Sequence, residues 1–139
     1  MKFVSNLFVW DPAKYILHIG PMDDEHKIII ACMNKLHELN DAKAAASSMA
    51  RALNELISVT VKHFSDEEAF MAKIGFPDLA KHKIIHKSLL EKMNGFKRDF
   101  DAGGKLTEEF FSFLSFWLKS HICGIDMKYS EFSRVAKAS

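Results

Sequence analysis

The stretch from His63 to His86, HFSDEEAFMAKIGFPDLAKHKIIH, decides the fold because it holds two pairs of polar side chains. His63 and Glu67 are four residues apart, and so are His82 and His86. On an α-helix this spacing places both members of a pair on one face, one turn apart. Histidine and carboxylate side chains are common metal ligands, so each pair is a candidate half of a metal site.

A turn separates the two pairs. Gly75 suits the left-handed residue that ends a helix, and Pro77 suits the first turn of the next helix, where its missing N–H costs nothing. A connection this short makes the two helices antiparallel. The stretch therefore predicts a helical hairpin that holds its four candidate ligands at one level between the helices.

Apolar residues spaced three and four apart extend this hairpin into four amphipathic helices. The first begins at Pro21, and the second runs from the mid-forties to Ile74. The third starts near Leu79, and the fourth follows Thr107, which we expect to cap it because acids occupy its first turn. The sequence predicts an all-α protein with an up-down-up-down antiparallel four-helix bundle.

A chain of 139 residues is long enough for one domain and too short for two of ordinary size. We divide this single domain, residues 1–139, into an irregular N-terminal arm at 1–20 and the bundle with a C-terminal helical tail at 21–139. Trp10 and Tyr15 predict that the arm folds its aromatic side chains over one end of the bundle rather than around a ligand.

Composition excludes several classes of function. The chain has 19 basic and 18 acidic residues, so its formal net charge of +1 gives no footprint for nucleic acid or an anionic membrane. No apolar run reaches the roughly 20 residues of a membrane span, and the N-terminus lacks the pattern of a signal peptide. We therefore expect a cytoplasmic protein. Cys32 and Cys123 are too few for a disulfide scaffold, and we expect reduced thiols.

Every predicted helix places a histidine in its apolar stripe: His26, His63, the pair His82 and His86, and His121. One such histidine is more often an ordinary core side chain than a ligand. The whole set, together with Glu67, would leave buried polar groups that cost about 1–3 kcal/mol each unless something satisfies them. Two metal ions would do so, and facing side chains in a four-helix core are a known way to build such a site.

Asp126 joins this set only through an irregularity in the fourth helix. It lies five residues after His121, which is about 140° around an ideal helix. Gly124 would permit a single-turn bulge, a feature that often accompanies functional sites. We expect such a bulge to turn Asp126 toward the core.

The types of candidate ligand limit which metals the site can bind. Imidazole with carboxylate favours iron, zinc or another borderline divalent ion, and the lack of a thiolate cluster argues against copper(I) and iron–sulfur centres. Carboxylate-bridged diiron oxidases carry Glu-x-x-His pairs on two helices, and this chain has no such pair. A core richer in histidine than in carboxylate should stabilise high-valent iron less well. The residues favour reversible redox or oxygen binding over oxidative catalysis.

Four motifs give the chain a resemblance to the hemerythrin family, in particular to its short single-domain bacterial members. They are Asp23-x-x-His26, HFxxEE from His63 to Glu68, HxxxH from His82 to His86, and HIxxxD from His121 to Asp126. The motifs cover nearly the whole chain. Met22 and Glu25 depart from the isoleucine and glutamine common in the family, which changes the surroundings of His26 and leaves that ligand in place.

The resemblance implies a centre of two iron ions joined by an oxo or hydroxo bridge. One iron would be bound by His82, His86 and His121, the other by His26 and His63, and both by Glu67 and Asp126. It also implies reversible binding of O2 as hydroperoxide at the less-coordinated iron, for oxygen transport, storage or sensing and without enzymatic turnover. By helical spacing we place four residues around the open position, although each would serve equally well as ordinary core: Ile29, Phe64, Trp117 and Leu118.

Two other functions fit the same residues. An enzyme would use the centre to reduce peroxide or nitric oxide or to oxidise iron, and a purely structural bundle would hold zinc or iron for stability alone. No tyrosine, lysine or acid lies beside His26 or His63 in the apolar stripes, apart from the surface pair Asp66 and Glu68. This lack of a proton donor favours binding over catalysis. Besides O2, we expect an electron-donor or oxygen-accepting protein as partner, and a monomeric chain.

Overall fold

The computed structural model describes residues 7–138, in which all regular secondary structure is helical, and side chains up to residue 135. The helices are α1 (Pro12–Tyr15), α2 (Gly20–Asp41), α3 (Ala46–Ile74), α4 (Leu79–Asp101), α5 (Glu108–Ser120) and α6 (Met127–Ala138). A π-helical segment, His121–Asp126, joins α5 to α6. The prediction of an all-α protein is confirmed. None of the described helices is both long enough and apolar enough to span a membrane.

Helices α2 to α5 form the four-helix bundle. Short connections at residues 42–45, 75–78 and 102–107 make successive helices antiparallel neighbours. The ring of helices closes where Phe111 of α5 lies edge-on to His37 of α2, with 4.9 Å between the ring centroids. Apolar side chains from all four helices fill the centre of this ring.

The turn between α3 and α4 has the predicted left-handed glycine, whereas Pro77 lies before α4 and not in its first turn. Gly75 is left-handed, with φ +71° and ψ +34°. The N–H of Phe76 donates to the carbonyl of Met71 at 2.9 Å, and the N–H of Gly75 donates to that of Ala72 at 3.2 Å. These two bonds make a Schellman motif, which satisfies the last carbonyls of α3 and reverses the chain.

The predicted irregularity in the fourth helix is a turn of π-helix. Extra backbone per turn changes which residues face the core, and Asp126 is fully buried as a result. A Cβ atom at Gly124 would meet nothing within 4 Å. Space around Gly124 therefore does not require a glycine, and the bulge depends on the surrounding packing.

Within the described residues 7–20, the N-terminal arm is more regular than the irregular segment that we expected, because it contains α1 and because α2 begins at Gly20. Side chains of α2 hold its backbone in place. The N–H of Phe8 donates to Asn34 Oδ1 at 2.9 Å. The N–H groups of Leu17 and Ile19 donate to the carboxylate of Asp23 at 2.8 and 3.2 Å. Residues 7–20 of the arm are therefore a fixed part of the domain.

The segment predicted as a C-terminal tail is the packed helix α6. Tyr129, Ser130 and Ser133 are buried, and the Ser130 hydroxyl donates to the carbonyl of Leu17 at 2.6 Å. Helix α6 thereby joins the arm to the bundle. A second detail also differs from expectation, since Thr107 precedes α5 but its side chain makes no capping hydrogen bond.

We expect Asp23→Asn to lower the free energy of unfolding by about 1–3 kcal/mol, because the amide would face a backbone N–H of the arm with a donor instead of an acceptor. Urea denaturation measures this loss. Asp24→Asn is the matched control, since Asp24 is an exposed neighbour in the same turn. Equal losses in the two variants would contradict the role of Asp23 as the anchor of the arm.

Candidate metal centre

All seven residues predicted as ligands meet inside the bundle, and none is more than 3% exposed. They come from α2, α3, α4 and the π-helical segment: His26; His63 and Glu67; His82 and His86; His121 and Asp126. Their possible ligand atoms fall into two groups, each with all atoms within 4.8 Å of one another, and both groups contain Glu67 and Asp126. The sequence therefore predicted the positions that the fold brings together.

The three-histidine group contains one oxygen from each carboxylate. Glu67 Oε1 lies 3.1 Å from His82 Nε2 and 2.9 Å from His86 Nε2. Asp126 Oδ1 lies 3.1 Å from His82 Nε2 and 3.0 Å from His121 Nε2. The Nε2 atom of His121 is 3.3 Å from that of His82 and 3.2 Å from that of His86. Five donor atoms thus converge.

The two-histidine group contains the remaining carboxylate oxygens. Glu67 Oε2 lies 3.1 Å from His63 Nε2 and 3.8 Å from His26 Nε2. Asp126 Oδ2 lies 3.1 Å from His26 Nε2. Each carboxylate therefore turns one oxygen to each group, as a ligand that bridges two cations does. This group has four donor atoms, one fewer than the other.

The distances between the donor atoms suit bound cations better than they suit hydrogen bonds between the side chains. Atoms about 2.1 Å from an octahedral ion lie about 3.0 Å apart, close to most of the separations in both groups. His26 Nε2, His63 Nε2 and both oxygens of Asp126 are buried without a hydrogen-bond partner among the described residues. Each of these atoms lies within hydrogen-bond distance of another polar atom, but the angle between the two groups is too poor for a hydrogen bond. A cation in each group would satisfy them, since an unpaired buried polar atom costs about 1–3 kcal/mol.

Two carboxylates outside the groups hold histidine rings in place, and sequence reasoning did not assign them this role. Glu25 Oε1 accepts a hydrogen bond from His63 Nδ1 at 2.8 Å. Glu68 Oε2 accepts one from His86 Nδ1 at 2.8 Å. Each bond turns Nε2 of the ring toward its group and makes that nitrogen a better ligand. Their only sequence signal is that each acid directly adjoins a predicted ligand.

Tyr129 is a further residue of the site that sequence reasoning missed. Its hydroxyl donates to Glu67 Oε2 at 2.7 Å. Burial, and the charges of Asp126 and Glu67, raise the pKa of Tyr129 far above its usual range, so the hydroxyl remains a donor. We expected no tyrosine or acid near the two-histidine group. That expectation was wrong, because Tyr129 contacts Glu67 and Glu25 contacts His63. The spacing of three residues from Asp126 was the available signal.

Protons stabilise the site when no cation is bound. Burial opposes the charged form of His63, but its contacts with Glu25 and Glu67 raise its pKa to about 9. Burial also opposes charge on His121, yet the charge and contact of Asp126 raise its pKa to about 10. Burial alone would raise the pKa of Glu67, whereas contacts with the surrounding histidines hold it well below the usual range. Metal ions would displace these protons.

The four residues predicted around the open position are all buried: Ile29, Phe64, Trp117 and Leu118. Phe64 stacks on His86, with 3.8 Å between ring centroids and 5° between ring planes. Trp117 lies 6.1 Å from His121 at 27°. These two aromatic rings therefore lie against the three-histidine group, and Phe64 also lies 6.0 Å from the ring of His63. A role for the four residues in oxygen binding stays a prediction.

We expect the metal-free protein to lose stability as pH rises from about 6.5 to about 10. A histidine whose pKa is raised by folding stabilises the fold fully below its unfolded pKa of about 6.5. That contribution is lost through the folded values of about 9 for His63 and about 10 for His121. Urea denaturation of chelator-treated protein across this range measures the loss. Constant or rising stability would contradict the protonated state of the site.

Comparisons with family profiles, protein sequences and solved structures all point to one family. Residues 18–132 match the family profile described as Hemerythrin HHE cation binding domain. A bacteriohemerythrin of Methylococcus capsulatus is 34% identical over 124 residues, which cover 88% of this chain and 94% of that protein. A myohemerythrin of Riftia pachyptila is 36% identical over 126 residues, with coverages of 91% and 93%. A crystal structure of wild-type hemerythrin is 33% identical, with a TM-score of 0.84 and coverages of 90% and 96%. The chain belongs to the hemerythrin family.

Proposed function

We propose that this protein binds O2 reversibly at a non-heme diiron centre. The observation that carries the proposal is the unequal pair of buried donor groups, with five and four donor atoms, that share two carboxylates. A centre built only for stability would gain from saturating both ions, whereas this one leaves one ion with fewer protein ligands. Membership of the hemerythrin family supports iron as the metal and O2 as the ligand.

In this proposal the three-histidine group, His82, His86 and His121, would hold one iron. The two-histidine group, His26 and His63, would hold the other, and Glu67 and Asp126 would bind both. Two ferrous ions would supply two electrons to O2 and take them back on release. The two negative carboxylates offset much of the positive charge that the ions bring into the bundle.

The surrounding residues restrict what reaches the centre. Phe64 and Trp117 cover the three-histidine group with apolar surface, which excludes water from that side. The Tyr129 hydroxyl fixes the oxygen of Glu67 that faces the two-histidine group. Glu25 and Glu68 fix the rings of His63 and His86. A rigid, mostly dry site favours the release of O2 unchanged over its reduction.

One contact chain favours a second candidate, an enzyme that reduces peroxide or nitric oxide at the same centre. Lys62 Nζ donates to Glu25 Oε2 at 3.2 Å and to Asp66 Oδ2 at 2.7 Å. Because Lys62 is exposed and Glu25 touches His63, polar groups connect the solvent with a ligand of the two-histidine group. Reductive chemistry needs protons, and this chain of contacts lies where they would be used.

The cellular location, oligomeric state and partner proteins stay predictions from the sequence. A cytoplasmic location, a monomeric state and an electron-donor or oxygen-accepting partner protein are parts of the proposal. Transport, storage and sensing of oxygen all require the same reversible binding. The iron centre itself is therefore the feature to test first.

We expect iron-loaded, anaerobically reduced protein to gain visible charge-transfer bands in air and to lose them when oxygen is removed under vacuum. His26→Ala should lose the bands because it removes one of two histidines from the less-coordinated iron. His37→Ala is the matched control, since His37 lies further along α2 and contacts Phe111 instead. Irreversible oxidation with consumption of peroxide would favour the enzyme, and a wild-type protein without bands would contradict the proposal.

We expect Glu68→Gln to weaken iron binding about tenfold or more, because the neutral amide no longer makes His86 a stronger ligand. Competition with a coloured chelator measures the affinity. Glu91→Gln, an exposed acid on α4, is the matched control. An affinity equal to that of the control would show that Glu68 contributes nothing to the centre.

A further inference from the structure

Helices α2, α3 and α4 end in the same Schellman motif, but only α2 carries a side chain at the left-handed position. That position is Gly75 after α3, with φ +71°, and Gly103 after α4, with φ +99°. After α2 it is Lys43, with φ +54°. The N–H groups of Lys43 and Ala44 make the two hydrogen bonds of the motif, at 3.1 and 3.0 Å. The hydrogen-bond pattern and the sign of φ are therefore the same at the three helix ends, and the residue differs.

A lysine at this position is strained in a way that glycine is not, because its Cβ disfavours positive φ. Non-glycine residues in the left-handed region persist where the surroundings hold them, and they are frequent at sites that grip a ligand. Glycine occupies the equivalent position after α3 and α4, so the fold itself does not require a lysine. The side chain of Lys43 is the feature that glycine would lose.

Lys43 lines a cleft of about 620 Å³ between the α2–α3 and α4–α5 connections. Lys105 lines it from the other connection, and Met49, Phe100 and Leu106 give it apolar walls. Small-molecule sites have volumes of about 300–1,000 Å³ and combine apolar walls with a few polar groups. The cleft has both properties.

The charged residues that line this cleft have one sign. Its two charged lining residues are Lys43 and Lys105, and none of its described lining residues is acidic. Of the acids at the adjoining helix ends, Asp101 accepts a hydrogen bond from Lys97 and Asp41 lies beside His37. Glu108 and Glu109 begin α5 just beyond the cleft and do not line it. An anionic head with an apolar body complements this lining.

We propose that the cleft binds a small amphiphilic carboxylate, with its carboxylate between Lys43 and Lys105 and its apolar body against Met49, Phe100 and Leu106. The site is separate from the iron centre. Asp41, at the end of α2 next to the cleft, lies about 22 Å along that helix from His26, at about 1.5 Å per residue. This binding does not depend on the proposed function.

Decanoate is the probe, titrated below its micelle concentration into the full iron-loaded chain by isothermal calorimetry. We expect saturable binding at a single site. Decan-1-ol has the same chain without the charge, and we expect it to bind about tenfold more weakly or worse, because a charged hydrogen-bonded contact with lysine is lost. Chemical-shift changes in nitrogen-15 spectra should map to residues 40–49 and 100–106.

The variant Lys43→Gly distinguishes an effect on decanoate binding from an effect on stability. We expect its melting temperature to rise, because glycine adopts positive φ without strain, while its affinity for decanoate falls about tenfold. Lys105→Gln should weaken binding similarly and leave the melting temperature unchanged. Lys83→Gln, an exposed lysine of α4, is the matched control for lost charge and should alter neither property.

Three results would each overturn the proposal: no saturable binding of decanoate, equal affinity for decanoate and decan-1-ol, or undiminished affinity in Lys43→Gly. Iron content and the oxygen-dependent spectrum are recorded on the same samples. Both should be unchanged in Lys43→Gly and Lys105→Gln. A failure of this site is thereby distinguished from a failure of the iron centre, which would abolish the spectrum in wild-type protein as well.

Discussion

The contacts of Glu67 are the constraint on which the rest of the site depends. Its Oε1 lies within 3.1 Å of His82 and His86 on α4, and its Oε2 lies 3.1 Å from His63 and accepts a hydrogen bond from Tyr129. One fully buried carboxylate therefore fixes the positions of α3, α4 and α6 relative to one another. Such an anion is tolerated inside a bundle only when positive groups surround it.

Those positive groups are protons or metal ions, and the two alternatives have opposite dependence on pH. In the metal-free protein, raised pKa values keep His63 and His121 charged beside Glu67 and Asp126. Metal ions need the same imidazoles neutral, so acid competes with metal. The cluster thus specifies the packing of four elements in either state, while Glu25 and Glu68 set the ring orientations that a metal requires.

Prediction from the sequence succeeded where the signal was local. The pairs His63–Glu67 and His82–His86 are four residues apart, and the helix alone places them on one face. Asp126 lies five residues after His121, so an ordinary helix would point it away from the core. This mismatch indicated a bulge, which the π-helical segment confirms. The role of Glu25 was missed, since its partner His63 is 38 residues away, and so was that of Tyr129, which is 62 residues from Glu67.

The sequence by itself determined the four helices of the bundle, the hairpin turn at Gly75 and the candidate metal ligands, because helical periodicity and turn conformation depend on near neighbours. The family resemblance, and not local spacing, implied that each carboxylate faces both histidine groups. Tertiary structure alone decided that Phe64 and Trp117 lie against the three-histidine group. It alone also brought Lys43 and Lys105 to one cleft. These contacts depend on the packing of helices against one another, which local spacing does not encode.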